Sequence, residues 1–205
     1  MAPRLIISDA FGIFAHELVP KQTTTGSIPP LYLPPALQKR QIKKMKKITN
    51  PFLDLIGKGY NCFACAPNNP YGLKMEFYED GDDIVSFWSP DDNYQGWLKT
   101  LHGGIQATLI DECAGWLISR KFQTSGMTTN LNIKYKKPIP TGSDVTLEIR
   151  TRVKQVKRNF VFMEASIAHN GEVCSTGELT FYCFTKEVAE KEFLFRGCEV
   201  ESEEV

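Results

Sequence analysis

The chain reads Leu101-His102-Gly103-Gly104 directly before an apolar segment, residues 105–117. Apolar side chains recur in this segment at helical spacing and cover more than one stripe of the helix. They are Ile105, Leu109, Ile110, Cys113, Ala114, Trp116 and Leu117. A helix that is apolar on most of its surface must be buried on most sides. The pattern therefore predicts a central helix around which the rest of a domain packs.

The glycine pair at the start of this helix is a candidate binding element. The first N–H groups of a helix have no intrahelical acceptor, and the helix dipole favours negative charge at that end. Two glycines leave the backbone bare, so Gly103 and Gly104 are candidates to donate hydrogen bonds to an oxyanion.

Two carboxylates, Asp111 and Glu112, interrupt the apolar segment. An ionised group withdrawn from water is costly unless it is paired, hydrogen-bonded or placed in a solvent-filled cleft. We therefore expect one of the two to face a cleft, without distinguishing which. For the other, a salt bridge is the simplest expectation.

The spacing within the helix bears on assembly. Gly104 and Asp111 are seven residues apart, which at the helical rise is about 10 Å along the axis. One reacting carbonyl cannot contact both groups at hydrogen-bonding distance. If both serve one reaction, the carboxylate must come from a second copy of the chain. In that case the protein is an obligate oligomer with sites between subunits, and unrelated roles for the two groups would remove this inference.

The segments on either side of the helix have the period-two pattern of strands. Before the helix, residues 73–88 are typical of a hairpin. After it, strands are predicted over residues 127–136, 145–156, 160–169 and 173–184. Asn170-Gly171 is a strong signal for a tight hairpin turn. The prediction is an α+β domain with an antiparallel sheet of about six strands wrapped around one long central helix.

The motifs resemble a known family. His102-Gly103-Gly104 is followed by Asp111, by residues 126–135 (Gly-Met-Thr-Thr-Asn-Leu-Asn-Ile-Lys-Tyr), and by Pro138, Pro140 and Gly142. This combination, within residues 59–184, is similar to the hotdog-fold acyl-CoA thioesterases of the phenylacetate-pathway (PaaI) type. A His-Gly-Gly alone would be a weak signal.

The resemblance implies hydrolysis of an acyl-CoA or related thioester to free acid and thiol, without a cofactor. Asp111 from the neighbouring subunit would be the base or nucleophile, and Gly103 and Gly104 the oxyanion hole. His102 would orient the glycine turn, although general-base catalysis and simple loop support are alternatives. Thr128 matches a hydroxyl position that assists the water. An amide position falls on Gly96, which makes the adjacent Gln95 a weaker candidate.

The resemblance also implies a substrate and an oligomeric state. The substrate would be an acyl-CoA, and the assembly a homodimer or a dimer-of-dimers tetramer. Two other functions stay open, a hotdog enoyl-thioester hydratase and a non-catalytic acyl-CoA-binding module. Basic residues around the predicted strands either hold the phosphates of coenzyme A or form a solvated strand face. They are Lys134, Lys136, Lys137, Arg150, Arg152, Lys157 and Arg158.

Cys62 and Cys65 form a Cys-x-x-Cys pair. The remaining cysteines provide no second such pair, which argues against a four-cysteine zinc site, and we expect no bound metal. The resemblance implies a packing or loop-shaping role, and a redox pair stays open although no βαβ pattern supports it.

Composition limits the class of protein. The formal net charge is zero, which gives no electrostatic case for nucleic-acid binding. No uninterrupted apolar stretch is long enough for a signal sequence or a membrane span. Six cysteines without a secretion signal favour reduced thiols in the cytoplasm.

The two ends of the chain differ from the middle. We interpret residues 1–44 as a disordered extension, residues 45–186 as the hotdog domain, and residues 187–205 as a charged tail. The extension is rich in Pro and Thr and then turns basic, which is typical of a linker leading to a membrane or nucleic-acid arm. An alternative is that Met45 is the true start and that the extension comes from an upstream over-read.

Overall fold

The structure, a computed structural model, describes residues 44–202. The predicted Pro-rich linker, and most of the predicted extension with it, lie outside this range. Within the described residues, no helix is both long and apolar enough to cross a membrane.

The predicted central helix is present. It is α1 (Gly103–Leu117), and a π-helical turn (Ile118–Phe122) follows it directly. A second helix, α2 (Lys186–Phe193), lies near the end of the described residues. Helix α1 buries Leu109, Ile110, Cys113, Ala114, Trp116 and Leu117, as predicted, whereas Ile105 is only half-buried. Gln106 is buried in addition, which the apolar pattern did not indicate.

The strands form one large antiparallel sheet and one small one. Residues 44–202 contain β1 (Lys46–Lys47), β2 (Phe77–Asp80), β3 (Asp83–Trp88), β4 (Gln95–Trp97), β5 (Thr100–Leu101), β6 (Gly126–Tyr135), β7 (Leu147–Lys157), β8 (Phe160–His169) and β9 (Glu172–Cys183). The order in the large sheet is β1-β2-β3-β7-β8-β9-β6, while β4 and β5 pair separately. Strand β6 therefore lies at one edge of the large sheet. This is the predicted wrapped-sheet architecture, with seven strands rather than six.

The four strands after α1 begin and end within two residues of the predicted positions. The first predicted strand is wrong at its start, because β2 begins at Phe77 rather than at residue 73. The reason is a local pairing: Leu73 N–H donates to Phe63 O at 2.8 Å, and Met75 N–H donates to Ala64 O at 2.9 Å. The alternating residues thus pair with the Cys-x-x-Cys loop before the chain enters the sheet.

Turn chemistry and close packing fix the sheet against α1. Asn170 and Gly171 have φ angles of 51° and 75°, the left-handed pair that a tight hairpin turn requires. On β9, a Cβ at Gly177 would lie 3.0 Å from Ile110 Cγ2 of α1, so any larger residue would have to displace the Ile110 side chain. On the other side of α1, the Trp116 ring stacks on Phe77 with centroids 4.4 Å apart.

The end of the described chain packs against the domain. Thr185 caps α2 by accepting a hydrogen bond from the Val188 N–H. Helix α2 and the residues after it bury Ala189, Phe195 and Cys198. The predicted charged tail therefore contributes apolar side chains to the core.

Candidate active site

The first turn of α1 is capped by the side chain of its N-cap residue, His102. His102 Nδ1 accepts a hydrogen bond from the Gly104 N–H at 2.9 Å. The Gly104 N–H is thereby engaged. The Gly103 N–H has no acceptor among residues 44–202, which leaves it as the donor available at this helix end.

Three further residues hold this turn in place. Tyr135 Oη donates to Gly103 O at 3.0 Å, and Gln106 Nε2 donates to Leu101 O at 3.3 Å. A Cβ at Gly96 would lie 2.9 Å from His102 Cδ2, so a side chain at this position would push against the imidazole. Sequence reasoning missed Gln106, and the only signal for it was a polar residue within the apolar helix.

Asp111 contacts Thr128 within one chain. Thr128 Oγ1 on β6 donates to Asp111 Oδ1 on α1 at 2.7 Å, and both residues are half-buried. A charge-assisted hydrogen bond of this kind fixes the orientation of the carboxylate. The packing of α1 against the sheet therefore brings together two of the predicted site residues, Asp111 and Thr128.

Asp111 and the glycine turn of the same chain remain apart. Helix α1 is continuous over Gly103–Leu117, so Gly104 and Asp111 are about 10 Å apart along its axis. A single substrate carbonyl cannot contact both groups of one chain.

Glu112 has a different environment from Asp111. Its Oε1 accepts a hydrogen bond from Trp116 Nε1 at 3.0 Å. The salt bridge expected for the second carboxylate is absent: no cation among residues 44–202 pairs with Glu112, and Cys62 lies beside it instead. Successive residues of a helix point about 100° apart, so Glu112 faces away from the Asp111–Thr128 pair.

Gln95 is engaged in its own hairpin. Its Oε1 accepts a hydrogen bond from the Lys99 N–H at 2.9 Å, which closes the turn between β4 and β5. At the tip of that turn Trp97 and Leu98 are 81% and 84% exposed. No hydrogen bond joins Gln95 to Asp111 or Thr128 among the described side chains.

The seven candidate phosphate ligands fall into two groups, those that form an ion pair with an acidic side chain and those that do not. Arg150 bonds Asp80 and Asp83, each at 2.8 Å; burial lowers the pKa of this guanidinium, but the acidic partners raise it overall. Arg152 also pairs with Asp83, and Lys137 pairs with Glu172. Four basic side chains have no acidic partner within residues 44–202: Lys134, Lys136, Lys157 and Arg158.

The Cys-x-x-Cys pair lies against α1. Tyr60 Oη is 3.0 Å from Cys65 Sγ, and Cys62 Sγ is 3.7 Å from Glu112 Oε1. A hydrogen bond from Cys65 lowers the pKa of the Cys62 thiol to about 7, against the opposing effects of burial and of the Glu112 charge. These side chains line a cleft of about 510 Å³ between the Cys-x-x-Cys loop and α1.

Part of the chain is similar to known proteins. Residues 98–176 match the family model of the thioesterase superfamily. Acyl-coenzyme A thioesterase THEM4 of Rattus norvegicus is 33% identical over 105 residues, which are 49% of this chain and 44% of the relative. The chain spans about half the length of the curated relatives it matches.

Solved structures share the fold. A crystal structure of a thioesterase superfamily protein superposes with a TM-score of 0.54 at 22% identity, covering 59% of this chain and 62% of that one. The PaaI protein of the phenylacetic acid degradation operon of Escherichia coli gives a TM-score of 0.51 at 14% identity, covering 56% and 82%. The predicted hotdog fold is therefore confirmed.

Proposed function

We propose, since residues 98–176 match the thioesterase superfamily, that the chain hydrolyses an acyl-CoA thioester to a carboxylic acid and coenzyme A. The observation that carries this proposal is the hydrogen bond from Thr128 on β6 to Asp111 on α1, a helix whose first N–H, at Gly103, is free among the described residues. The printed activity of the rat relative supports the choice of acyl-CoA as substrate.

The geometry suggests how the groups would act. Asp111 would take a proton from water or attack the thioester carbon directly, and the oxygen of the Thr128 hydroxyl can accept a hydrogen bond from that water. The negative charge that develops on the carbonyl oxygen would be stabilised by the Gly103 N–H and the helix dipole. Collapse of the tetrahedral intermediate then expels the coenzyme A thiolate, which takes up the proton that Asp111 removed from the water. After direct attack the acyl group would instead stay on Asp111 as an anhydride, which a water molecule would hydrolyse to the free acid, with one proton of that water going to the coenzyme A thiolate.

In this scheme His102 is a positioning residue. Its Nδ1 holds the Gly104 N–H and so fixes the first turn of α1, while the Gly103 N–H has no acceptor among the described residues. The oxyanion-hole role that the resemblance implied for both glycines is thereby divided between them: Gly104 shapes the turn, and Gly103 supplies the donor.

We further propose that each site combines two subunits. The continuous helix separates Asp111 from the glycine turn of its own chain by about 10 Å. The partner surface would include β6, because this strand lies at the edge of the large sheet and exposes 55% of Met127 and 54% of Tyr135. A homodimer supplies two complete sites, and a dimer of dimers supplies four.

The phosphates of coenzyme A require cations that are not already neutralised. Arg150 forms ion pairs with Asp80 of β2 and Asp83 of β3, and Arg152 forms one with Asp83. We therefore assign the phosphates to the group without acidic partners in the described chain. These residues are Lys134, Lys136, Lys157 and Arg158.

The test is release of free thiol from a panel of aryl, short and long acyl-CoA substrates. The wild-type chain is compared with Asp111→Asn, which keeps the shape of the side chain and removes its basicity. We expect kcat for the best substrate to fall by about 10²–10⁴-fold. The exposed Asp54→Asn is the matched control and should keep wild-type turnover.

Three outcomes would contradict the proposal. Asp111→Asn with near wild-type turnover would remove Asp111 from the chemistry. Binding of acyl-CoA without thiol release would favour a binding module. Hydration of an enoyl-CoA without thiol release would favour a hydratase.

A further inference from the structure

Three potential metal ligands converge outside the thioester site. Cys62 Sγ, Cys65 Sγ and a Glu112 carboxylate oxygen all lie within 4.8 Å of one another. The two thiols come from the loop before β2, and the carboxylate comes from the middle of α1. No sequence pattern indicates the third ligand, because Glu112 is 50 positions from Cys62.

The separations suit one small ion. Cys62 Sγ lies 3.7 Å from Glu112 Oε1 and 3.8 Å from Oε2. With Zn–S near 2.3 Å and Zn–O near 2.1 Å, the edge of a tetrahedron joining sulfur to oxygen is about 3.6 Å. Cys62 and Glu112 therefore already stand close to the spacing that zinc would impose, and Cys65 Sγ lies within 4.8 Å of both.

The charge of the cluster also calls for a cation. Glu112 is half-buried, and no basic side chain among residues 44–202 forms an ion pair with it. The Trp116 indole satisfies one lone pair of Oε1 but provides no positive charge. A carboxylate partly withdrawn from water is costly without a compensating charge, and two adjacent thiolates would add to the negative charge. A divalent ion bound to all three groups would offset two of their three negative charges.

Softness and geometry select the ion. Thiolate ligands favour zinc over magnesium or calcium, which prefer all-oxygen sites. Three protein ligands leave a fourth position, and the cleft of about 510 Å³ that Cys62, Cys65 and Glu112 line provides the space for water there. We propose that Cys62, Cys65 and Glu112 bind one Zn²⁺, with water as the fourth ligand.

This zinc would act as a clamp. It would join the loop that carries Cys62 and Cys65 to helix α1 at Glu112, one residue after Asp111. Because Glu112 points about 100° away from Asp111 around the helix axis, the ion would lie outside the thioester site. Binding would release the two thiol protons, so affinity should increase with pH.

The test uses the full chain, reduced and stripped of metal with a chelator, then titrated with Zn²⁺ or Co²⁺. We expect one equivalent to bind and the melting temperature to increase by several degrees. Co²⁺ should produce a sulfur-to-cobalt charge-transfer band and the visible bands of a tetrahedral ion. Affinity for Zn²⁺ should fall at least about tenfold in Cys62→Ser, Cys65→Ser and Glu112→Gln. Cys174→Ser is the matched control and should bind like wild type.

The wild-type Co²⁺ spectrum is decisive even if a variant fails to fold. A spectrum without sulfur ligation, or no binding of either metal, would overturn the proposal. Wild-type affinity in Glu112→Gln would remove the carboxylate from the site. Recovery of the untreated chain with a Cys62–Cys65 disulfide and no metal would identify a redox pair instead.

Discussion

Thr128 orients the carboxylate of Asp111 from the neighbouring strand, and its hydroxyl can be removed with little change in shape. In Thr128→Val the 2.7 Å hydrogen bond to Asp111 is lost. We expect kcat for thioester hydrolysis to fall about tenfold or more, with little change in KM, because the substrate does not depend on Thr128 for binding. Steady-state thiol release measures both constants.

The adjacent threonine provides the control for this substitution. Thr129 bonds the Thr180 carbonyl instead of the carboxylate. Thr129→Val should therefore leave kcat within about twofold. Equal losses in the two variants would show that the effect comes from the strand and not from the hydrogen bond to Asp111.

His102 can be tested as a cap separately from a base. His102→Ala removes the acceptor for the Gly104 N–H, so the free energy of unfolding should fall by about 1 kcal/mol, measured by denaturant unfolding. His102→Asn offers a new acceptor and should recover most of that loss. If the imidazole only positions the turn, His102→Asn should keep turnover within about tenfold. A loss as large as that of Asp111→Asn would assign proton transfer to His102.

At the scale of whole elements, the contact between α1 and β9 depends on one missing side chain. In Gly177→Ala the new Cβ would lie 3.0 Å from the fully buried Ile110. We expect a loss of about 1–3 kcal/mol in the free energy of unfolding, because a packed core cannot move aside. Gly57→Ala is the control, since no atom lies within 4 Å of its Cβ position. Equal stability of the two variants would show that α1 shifts freely.

The four strands after α1 were predictable because alternation and turn residues agree there. Arg158 and Asn170 take the left-handed conformation that two-residue hairpin loops require, and these loops fix the register on both sides of β8. The start of β2 was not predictable in this way. Leu73 and Met75 alternate like a strand, but their backbone bonds go to a loop whose position depends on the folded core.

In the candidate site, too, some features were predictable from local sequence and others depend on distant parts of the chain. The helix start and Asp111 follow from local spacing, since a glycine pair and a helical period are properties of one segment. The environment of Glu112 does not, because its neighbour Cys62 belongs to a distant loop. Likewise, only the sheet register shows that Arg150 on β7 faces the acids of the β2–β3 hairpin.

At the scale of the molecule, complementation tests the shared site. Gly103→Pro removes the free N–H, and proline is tolerated at the first position of a helix. Mixed with Asp111→Asn and allowed to exchange subunits, it should yield hybrids with one complete site. About half of randomly formed dimers are hybrids, so recovery near a quarter of wild-type activity is expected.

Each variant must first be shown to fold and to be inactive alone, and Gly103→Ala should retain activity because it keeps the N–H. Subunit exchange can be followed by native mass spectrometry of tagged chains. Exchange without recovery would place both groups of each site in one subunit.

The order of the strands has a consequence for folding. Strands β7, β8 and β9 are neighbours in sequence and in the sheet, whereas β3 and β6 reach their partners β7 and β9 across long intervening segments. Local hairpins close sooner than distant pairs, so we expect high φ-values at Val161 on β8 and low values at Ile84 on β3, measured from chevron plots of alanine variants. Similar φ-values would contradict this sequence of events. During synthesis on the ribosome, helix α1 emerges before the strands that cover it. Its apolar surface therefore stays exposed until the last third of the chain has emerged. We expect the nascent chain to bind chaperones during this interval.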